Sequence, residues 1–200
     1  MPDNISDQEL HDRLALIQQM LREGRRDTES WGWIFVLWGV AYYVAMAWSA
    51  WGHGAWAWPI TVSIAVVATA LLASAKTRRH PGTTLGRAVG SIWMALGISM
   101  FLLFMSLGFA ARLSDPHIFM AVVCAILGIG NGASGLLLRW KAQLACALVW
   151  WAAAIGTCFG SIRQSTIIFL FAIFLGQIVF GFYGILADVQ ARRARNPSHV

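Results

Sequence analysis

The amino-acid sequence predicts an all-α polytopic membrane protein with six transmembrane helices, arranged as three hairpins and preceded by a cytoplasmic amphipathic helix. Three observations carry this prediction: an apolar composition, six apolar segments of spanning length, and positive charges confined to alternate connections. Of the 200 residues, 58% are hydrophobic and only 12% are charged, about half the charged share usual in a soluble domain. A soluble chain of this length could not bury so much apolar surface in one core.

Six apolar segments are each close to the length of about 20 residues that crosses a bilayer core of about 30 Å. None of them contains Asp, Glu, Lys or Arg. Because the bilayer core offers no water to backbone groups, each segment is predicted to be a helix. The segments cover residues 31–51, 56–75, 88–110, 117–138, 142–160 and 165–187.

The lysines and arginines lie mainly on one side of the six predicted helices. Thirteen fall in the two tails and in the second and fourth connections, whereas only Arg112 and Arg163 fall on the other side. By the positive-inside rule, both termini are predicted to be cytoplasmic in a multi-pass protein of the plasma membrane. The formal charge of +6 therefore reflects membrane orientation, and nucleic acid is not an expected partner.

The same pattern divides the chain into three regions. Residues 1–30 form a cytoplasmic amphipathic helix and linker, residues 31–188 form the six-helix bundle, and residues 189–200 form a basic cytoplasmic tail. The first thirty residues lack the apolar segment of a signal peptide. The first span is therefore expected to act as an uncleaved anchor.

An amphipathic helix is predicted at residues 6–24. Ser6 and Glu9 have the spacing of a capping box, and Gly24 is expected to end the helix, with Asp27 as a cap for the next one. Apolar residues recur at spacings of four, three and four, which places them on one helical face. These residues are Leu10, Leu14, Ile17 and Leu21, and we call them the α1 stripe.

The α1 stripe needs a surface that covers it. The lipid bilayer is one candidate, because an amphipathic helix can lie on the headgroups. A second copy of the chain is another, which would make the protein a homo-oligomer. A cytoplasmic partner bound through residues 6–24 ranks below both.

Small residues form faces on several predicted spans. Residues 130–135 match the pattern GxGxxG, but they lie inside a span and lack the βαβ context of a dinucleotide site. The glycines are therefore interpreted as packing positions that let helix backbones approach closely. They are Gly128, Gly132 and Gly135 in the fourth span and Gly181 and Gly184 in the sixth.

Two amide side chains, Asn131 and Gln177, lie deep in the fourth and sixth spans. They have similar depths, and an amide facing lipid would lack partners. We expect these spans to be neighbours and the two amides to hydrogen-bond directly or through one water. If they do not pair, they are better interpreted as lining a cavity.

Aromatic residues crowd the outer end of the first hairpin. The expected explanation is the aromatic belt that anchors helices at the interface. A cage for a cationic ligand by cation–π contact is the alternative, but no acidic residue lies nearby. The rim consists of Trp48, Trp51, Trp56 and Trp58.

Catalytic and ligand-binding patterns are absent from the sequence. The five histidines are scattered, and neither HExxH nor a paired-carboxylate pattern occurs. The three cysteines, Cys124, Cys146 and Cys158, lie in apolar segments without metal-ligand spacing. No catalytic residue, metal or cofactor is therefore predicted.

Three classes of function fit this architecture. The first is a non-enzymatic membrane module that senses, scaffolds or regulates through its cytoplasmic helix. The second is a small homo-oligomeric transporter or channel for an uncharged or lipid-like solute. The third, ranked last, is a lipid-modifying membrane enzyme. A cavity lined by Asn131 and Gln177 would favour the second class, and a solid bundle with an exposed helix the first.

Single cysteines in the connections test the predicted topology. A membrane-impermeant maleimide should label His53→Cys from outside, and His11→Cys, His80→Cys and His199→Cys only after the membrane is opened. The physical reason is the asymmetry of lysine and arginine across the spans. External labelling at position 80 would contradict the six-helix topology.

Overall fold

A computed structural model of the chain describes residues 7–79, 82–110 and 115–195. Within these ranges the chain is almost entirely helical and contains no β-strand. The prediction of an all-α polytopic membrane protein is confirmed. Ser6, the proposed first cap, lies outside the described residues.

Eight α-helices, a kinked turn at Ser49–His53 and the π-helical segment Phe174–Val179 make up the helical elements of the described structure. Helices α7 and α8 are joined by the π segment Phe174–Val179 into one continuous helical rod. The α-helices are α1 (Asp7–Glu29), α2 (Gly32–Trp48), α3 (Gly54–Arg79), α4 (Thr84–Phe109), α5 (Pro116–Leu137), α6 (Lys141–Gly156), α7 (Ile162–Ile173) and α8 (Phe180–Arg195).

The membrane-spanning elements correspond to α2 to α6 and the α7–π–α8 rod. Five helical segments of the described chain are long and apolar enough to cross a membrane. Helix α6 is also apolar but has only 16 residues. The rod continues to Arg195, so residues 189–195 of the expected tail are helical.

The boundary between α1 and α2 differs from the prediction. Gly24 does not end α1, which continues to Glu29. A methyl group at Gly24 would lie 2.7 Å from Cβ of Leu85, so the glycine permits a close helix contact. Asp27 does not cap α2; its carboxylate accepts a hydrogen bond from the backbone N–H of Thr83, just before α4.

The start of α7 also differs from the prediction. The sequence placed residues 161–164 in a connection, whereas the structure begins α7 at Ile162. Ser161 and Gln164 form a capping box, in which Gln164 Oε1 accepts a hydrogen bond of 2.9 Å from the Ser161 N–H. The S-x-x-Q spacing was a visible signal for this start.

Helix α2 holds the bundle together at its centre. It packs against α3 on one side and against the π segment and α8 on another. Its Phe35 ring lies 5.4 Å from Trp93 of α4 and 5.1 Å from Phe180 of α8. Helices α5 and α6 form a long hairpin, while most described side chains of α3 and α4 are exposed and are available to lipid.

Backbone-to-backbone contact joins α2 to α8. A methyl group at Gly181 would lie 2.8 Å from the carbonyl oxygen of Gly32 and 2.9 Å from the Val36 nitrogen. Gly184 also lies against α2, although less tightly, because a methyl group there would lie 3.3 Å from Cα of Gly32. Small residues at such contacts allow the van der Waals packing that drives helix association in membranes.

Alanine at Gly181 should destabilise the bundle, whereas alanine at Gly97 should not. The first methyl group meets backbone atoms of α2, and the second meets no atom within 4 Å. We expect Gly181→Ala to cost about 1–3 kcal/mol and Gly97→Ala to be neutral or stabilising by up to about 1 kcal/mol. Thermal unfolding in detergent measures both. Equal effects of the two substitutions would contradict the described α2–α8 contact.

Candidate functional site

The last two turns of α1 are fixed to the bundle by side chains that bind backbone carbonyls. Arg25 Nη2 donates to the carbonyl oxygens of Leu138, at 3.3 Å, and Arg139, at 2.9 Å. Arg26 Nη2 donates to the carbonyl oxygen of Ala191 at 3.3 Å. The Leu138 and Arg139 carbonyls lie just after the end of α5, where a helix leaves carbonyls without intrahelical partners. Ala191 lies near the end of α8.

A second set of contacts ties α1 to α4 and α3. Asp27 Oδ2 accepts hydrogen bonds from Thr83, at 3.1 Å from its backbone nitrogen and 3.3 Å from its hydroxyl. Lys76 Nζ donates to the carbonyl oxygen of Ser30 and, at 2.7 Å, to its hydroxyl. The same ammonium lies 4.2 Å from the centre of the Trp31 ring, a cation–π geometry.

Glu29 adds a carboxyl group at this junction. Burial raises the pKa of Glu29, while the nearby guanidinium groups of Arg25 and Arg26 act in the opposite direction. The end of α1 therefore places a partly buried carboxyl group near two guanidinium groups.

The first half of α1 differs from the fixed end in its exposure to solvent. Every described side chain from residue 8 to residue 20 is exposed. In the α1 stripe, the exposed fractions are 49% for Leu10, 50% for Leu14 and 53% for Ile17. Leu16 and Met20, beside the stripe, are also exposed. An apolar helical face is thus left uncovered by the rest of the described chain.

Polar pairs on the other faces stabilise this half of the helix. Arg13 and Glu9 form an ion pair of 2.6 Å, and Gln19 donates a hydrogen bond of 2.9 Å to Glu23. Such pairs one turn apart support a helix that has little tertiary packing. Residues 7–23 contain four acidic side chains and two arginines, so this part of α1 carries a net negative charge.

The exposed half of α1 begins where other helices of the bundle end. Gly24 lies against Leu85, at the start of α4, and against Leu138, at the end of α5. Glu29, five residues on, lies against Gly184 within α8. The helix axis therefore runs from the body of the bundle to its edge, and residues 8–21 continue about 20 Å beyond Gly24.

The two deep amides do not hydrogen-bond to each other directly. Asn131 Nδ2 donates to the Leu127 carbonyl of its own helix at 2.9 Å. The side-chain oxygens of Asn131 and Gln177 are buried, and neither accepts a hydrogen bond from any described residue. The direct form of the expected pairing is therefore wrong, and the form through one water stays a prediction.

The separation of the amides has a structural cause. Gln177 belongs to the π segment, and its Cβ would lie 2.9 Å from a methyl group at Gly39 of α2. The indole nitrogen of Trp150, from α6, lies directly against Gly176. Helix α5 instead contacts the rod along α7. The fourth and sixth predicted spans are thus neighbours, but away from Gln177.

The glycines singled out in the fourth span face α6. Gly128 and Gly132 lie against the Trp151 ring, and a methyl group at Gly135 would lie 2.9 Å from the backbone nitrogen of Leu144. The aromatic ring of α6 occupies the space that two missing side chains leave on α5. This contact accounts for the close packing of the α5–α6 hairpin.

The four tryptophans of the outer rim separate into two environments. Trp51 and Trp56 are 79% and 68% exposed. Trp58 packs into the bundle, with its ring 4.8 Å from Phe119 and 6.0 Å from Tyr42, and Trp48 is half-buried. The structure therefore does not gather the four rings around one point.

A polar cluster at the opposite end from α1 was missed from the sequence. His117 Nδ1 lies 2.9 Å from the carbonyl oxygen of Thr157 and 3.1 Å from the hydroxyl of Ser165. Asp115 caps α5 by accepting a hydrogen bond from the His117 N–H. The cluster joins α5, the end of α6 and α7, and only the local Asp-Pro-His turn was visible in the sequence.

The described residues outside α1 offer weaker candidates for a functional site. Within the described ranges, no three His, Cys, Asp or Glu side chains come together as a metal site would require. Two shallow apolar grooves run between α6 and α7, and neither is lined by Asn131 or Gln177. Gly156 and Ile168 line both grooves. The exposed half of α1 is the surface that we take as the candidate functional site.

Comparison with known protein families, curated proteins and solved structures finds no match for this chain.

Removing the Asp27 carboxylate should loosen the fixed half of α1. Asp27→Ala removes the acceptor of two hydrogen bonds from Thr83, a loss comparable to about 0.5–2 kcal/mol for a helix cap. Hydrogen–deuterium exchange of amides 22–29 should become about 2- to 30-fold faster. Asp12→Ala, a change in the exposed half, is the matched control. Equal exchange in both variants would show that Asp27 does not hold α1.

Proposed function

We propose that this protein is a non-enzymatic membrane module that scaffolds or regulates through the exposed half of α1. One observation carries the proposal: the helix is fixed to the bundle at one end while its α1 stripe is uncovered at the other. Arg25, Arg26 and Asp27 hold the fixed end. Uncovered apolar surface of this kind is typical of interaction sites.

The attachment of α1 at one end supports a role in which the helix offers its apolar stripe to a binding partner. An isolated helix shorter than about 12–15 residues is marginal in water, but residues 8–20 continue a helix whose end is already anchored. Their conformation is therefore largely set before anything binds, which lowers the ordering cost of association. The positive-inside pattern predicts that this helix lies in the cytoplasm.

The transport hypothesis has less support in the structure. A cavity lined by Asn131 and Gln177 would favour it, and neither residue lines the grooves between α6 and α7. Asn131 is engaged with its own helix. The amides are thus better interpreted as part of helix packing than as a solute path.

Cysteine protection tests whether α1 is a docking element. In a Cys158→Ser background, Ile17→Cys reports on the α1 stripe, and Ala15→Cys reports on another face of the same turn. Both positions are exposed in the single chain. With a hydrophilic maleimide, position 17 should react several-fold more slowly in native membranes than in the purified monomer, because an occupant covers the stripe.

Position 15 is the matched control and should react at the same rate in both preparations. Equal rates for position 17 in native membranes and in the purified monomer would contradict the proposed function. A uniform slowing at both positions would indicate general crowding of the membrane surface, which also contradicts specific docking.

A further inference from the structure

We infer that the membrane-embedded α5–α6 hairpin contains a buried hydration site, in which ordered water bridges Asn131, Ser134 and Gln143. We call these three residues the inner polar site. The inference concerns the bundle, so it is independent of the α1 stripe and of the function proposed for it.

Four polar atoms of the inner polar site are buried without a hydrogen-bond partner. All three side chains are 0% exposed. Asn131 Oδ1, Ser134 Oγ, Gln143 Nε2 and Gln143 Oε1 form no hydrogen bond with any described residue. Burying a polar atom without a partner costs free energy, and for this reason nearly all such atoms in proteins bond to other protein atoms or to water. The inner polar site is therefore expected to bind an occupant that can hydrogen-bond.

The packing of α5 on α6 brings the three side chains to similar heights. A methyl group at Gly135 would lie 2.9 Å from the backbone nitrogen of Leu144, so these two residues are level. Ser134 and Gln143 each precede one of them, and because the helices are antiparallel their heights differ by about 3 Å, at 1.5 Å per residue. Asn131 lies one turn from Ser134 on the same side of α5.

The inner polar site faces the interior of the bundle. Leu136 and Leu148 lie five residues after Asn131 and Gln143, which places them on opposite faces of their helices at about 100° per residue. Both leucines are exposed, by 68% and 63%, and are available to lipid. Lipid chains therefore contact the far faces of the hairpin, and the polar atoms lie on the side that other helices cover.

The chemistry of the four atoms matches water. The two amide oxygens accept hydrogen bonds, Gln143 Nε2 donates them, and the Ser134 hydroxyl does both. Residues 117–138 and 142–160 contain no Asp, Glu, Lys or Arg, so an ion would lack a countercharge in the membrane. A buried water typically forms about three hydrogen bonds with polar groups that have no other partner. The inner polar site supplies that number of partners.

The position of the site gives water a short route to it. Ser134 and Gln143 have similar heights but do not bond to each other, and polar groups too far apart for a direct hydrogen bond are often bridged by water. Gln143 is the third residue of α6, and Lys141, the first, is exposed. Water can therefore enter beside the α5–α6 turn without crossing the hydrocarbon core.

A serine-to-alanine substitution distinguishes a hydrated site from a dry one by the sign of its effect. Ser134→Ala should lower the thermal unfolding temperature in detergent by about 1–4 °C, the shift expected when a hydrogen bond inside a membrane protein is lost. In a dry site it would remove an unpartnered group, and the unfolding temperature would rise or stay the same. Ser99→Ala, at an exposed serine of α4, is the matched control and should leave the temperature nearly unchanged.

Radiolytic labelling tests for the water itself, because hydroxyl radicals formed from an ordered water oxidise the side chains beside it. Cys146 lies one turn after Gln143 on the same side of α6, whereas Cys124 lies seven residues before Asn131, and both cysteines are buried. In the full-length protein in nanodiscs, a brief X-ray pulse should oxidise Cys146 several-fold faster than Cys124. Gln143→Leu and Ser134→Ala should each slow the oxidation of Cys146 alone.

Several results would overturn the inference. Equal oxidation of the two cysteines, or an unchanged rate at Cys146 in the variants, would exclude an ordered water at this place. A higher or unchanged unfolding temperature for Ser134→Ala would show a dry site. A lower temperature without preferential oxidation of Cys146 would show that the side chains rearrange and bond to one another directly. If Gln143→Leu does not fold, Ser134→Ala, the smaller change, supplies the comparison.

Discussion

The close backbone contact between α2 and α8 is the constraint on which the rest of the structure depends. Gly32 and Gly181 bring the first and last spans together without intervening side chains. The contact closes the bundle between elements far apart in sequence and brings Ala191 of α8 within reach of Arg26. The position of α1 thus follows from glycines in two membrane spans, through contacts that continue beyond the membrane.

In the α5–α6 hairpin, close packing and polar contacts occur at different places, since His117 bonds to the Thr157 carbonyl at one end of the hairpin. The α5–α6 hairpin is closed by Trp151 filling the space over Gly128 and Gly132, while Asn131 satisfies one amide hydrogen by bonding to its own helix. A polar group that hydrogen-bonds within its own helix contributes little to determining which other helix packs beside it. Shape, set by glycine and tryptophan, therefore determines which helices are adjacent in this hairpin.

The sequence predicted the features that depend on local pattern. The spans followed from length and charge-free apolar runs, and the helicity of residues 7–21 followed from the spacing of Leu10, Leu14 and Ile17. Gly24 was misjudged because its local preference for ending a helix competes with a tertiary contact to Leu85. Such a contact pairs residues 61 positions apart, and no local pattern reports it.

The sequence predicted only part of the candidate site, because the remaining part depends on contacts between residues far apart in the chain. The stripe could be recognised, but the anchors of α1 could not, because Arg25 binds carbonyls more than a hundred residues away. The direct hydrogen bond between Asn131 and Gln177 was wrongly predicted because depth along a helix gives height and not the direction in which a side chain points. The π segment is likewise invisible in composition, since it reflects how α7 and α8 must each face different neighbours.

The π segment sets the rotational position of α8 about the axis of the continuous helix. It accommodates one residue more than regular α-helical turns would over the same stretch, and each residue of an α-helix turns the chain by about 100°. If the same residues between Phe174 and Val179 formed a regular α-helix, Gly181 and Gly184 would be rotated by about that angle relative to α7. Bulkier side chains would then face α2. The π segment thus sets the rotation of α8 relative to α7, so that the two parts of one continuous helix face different neighbours.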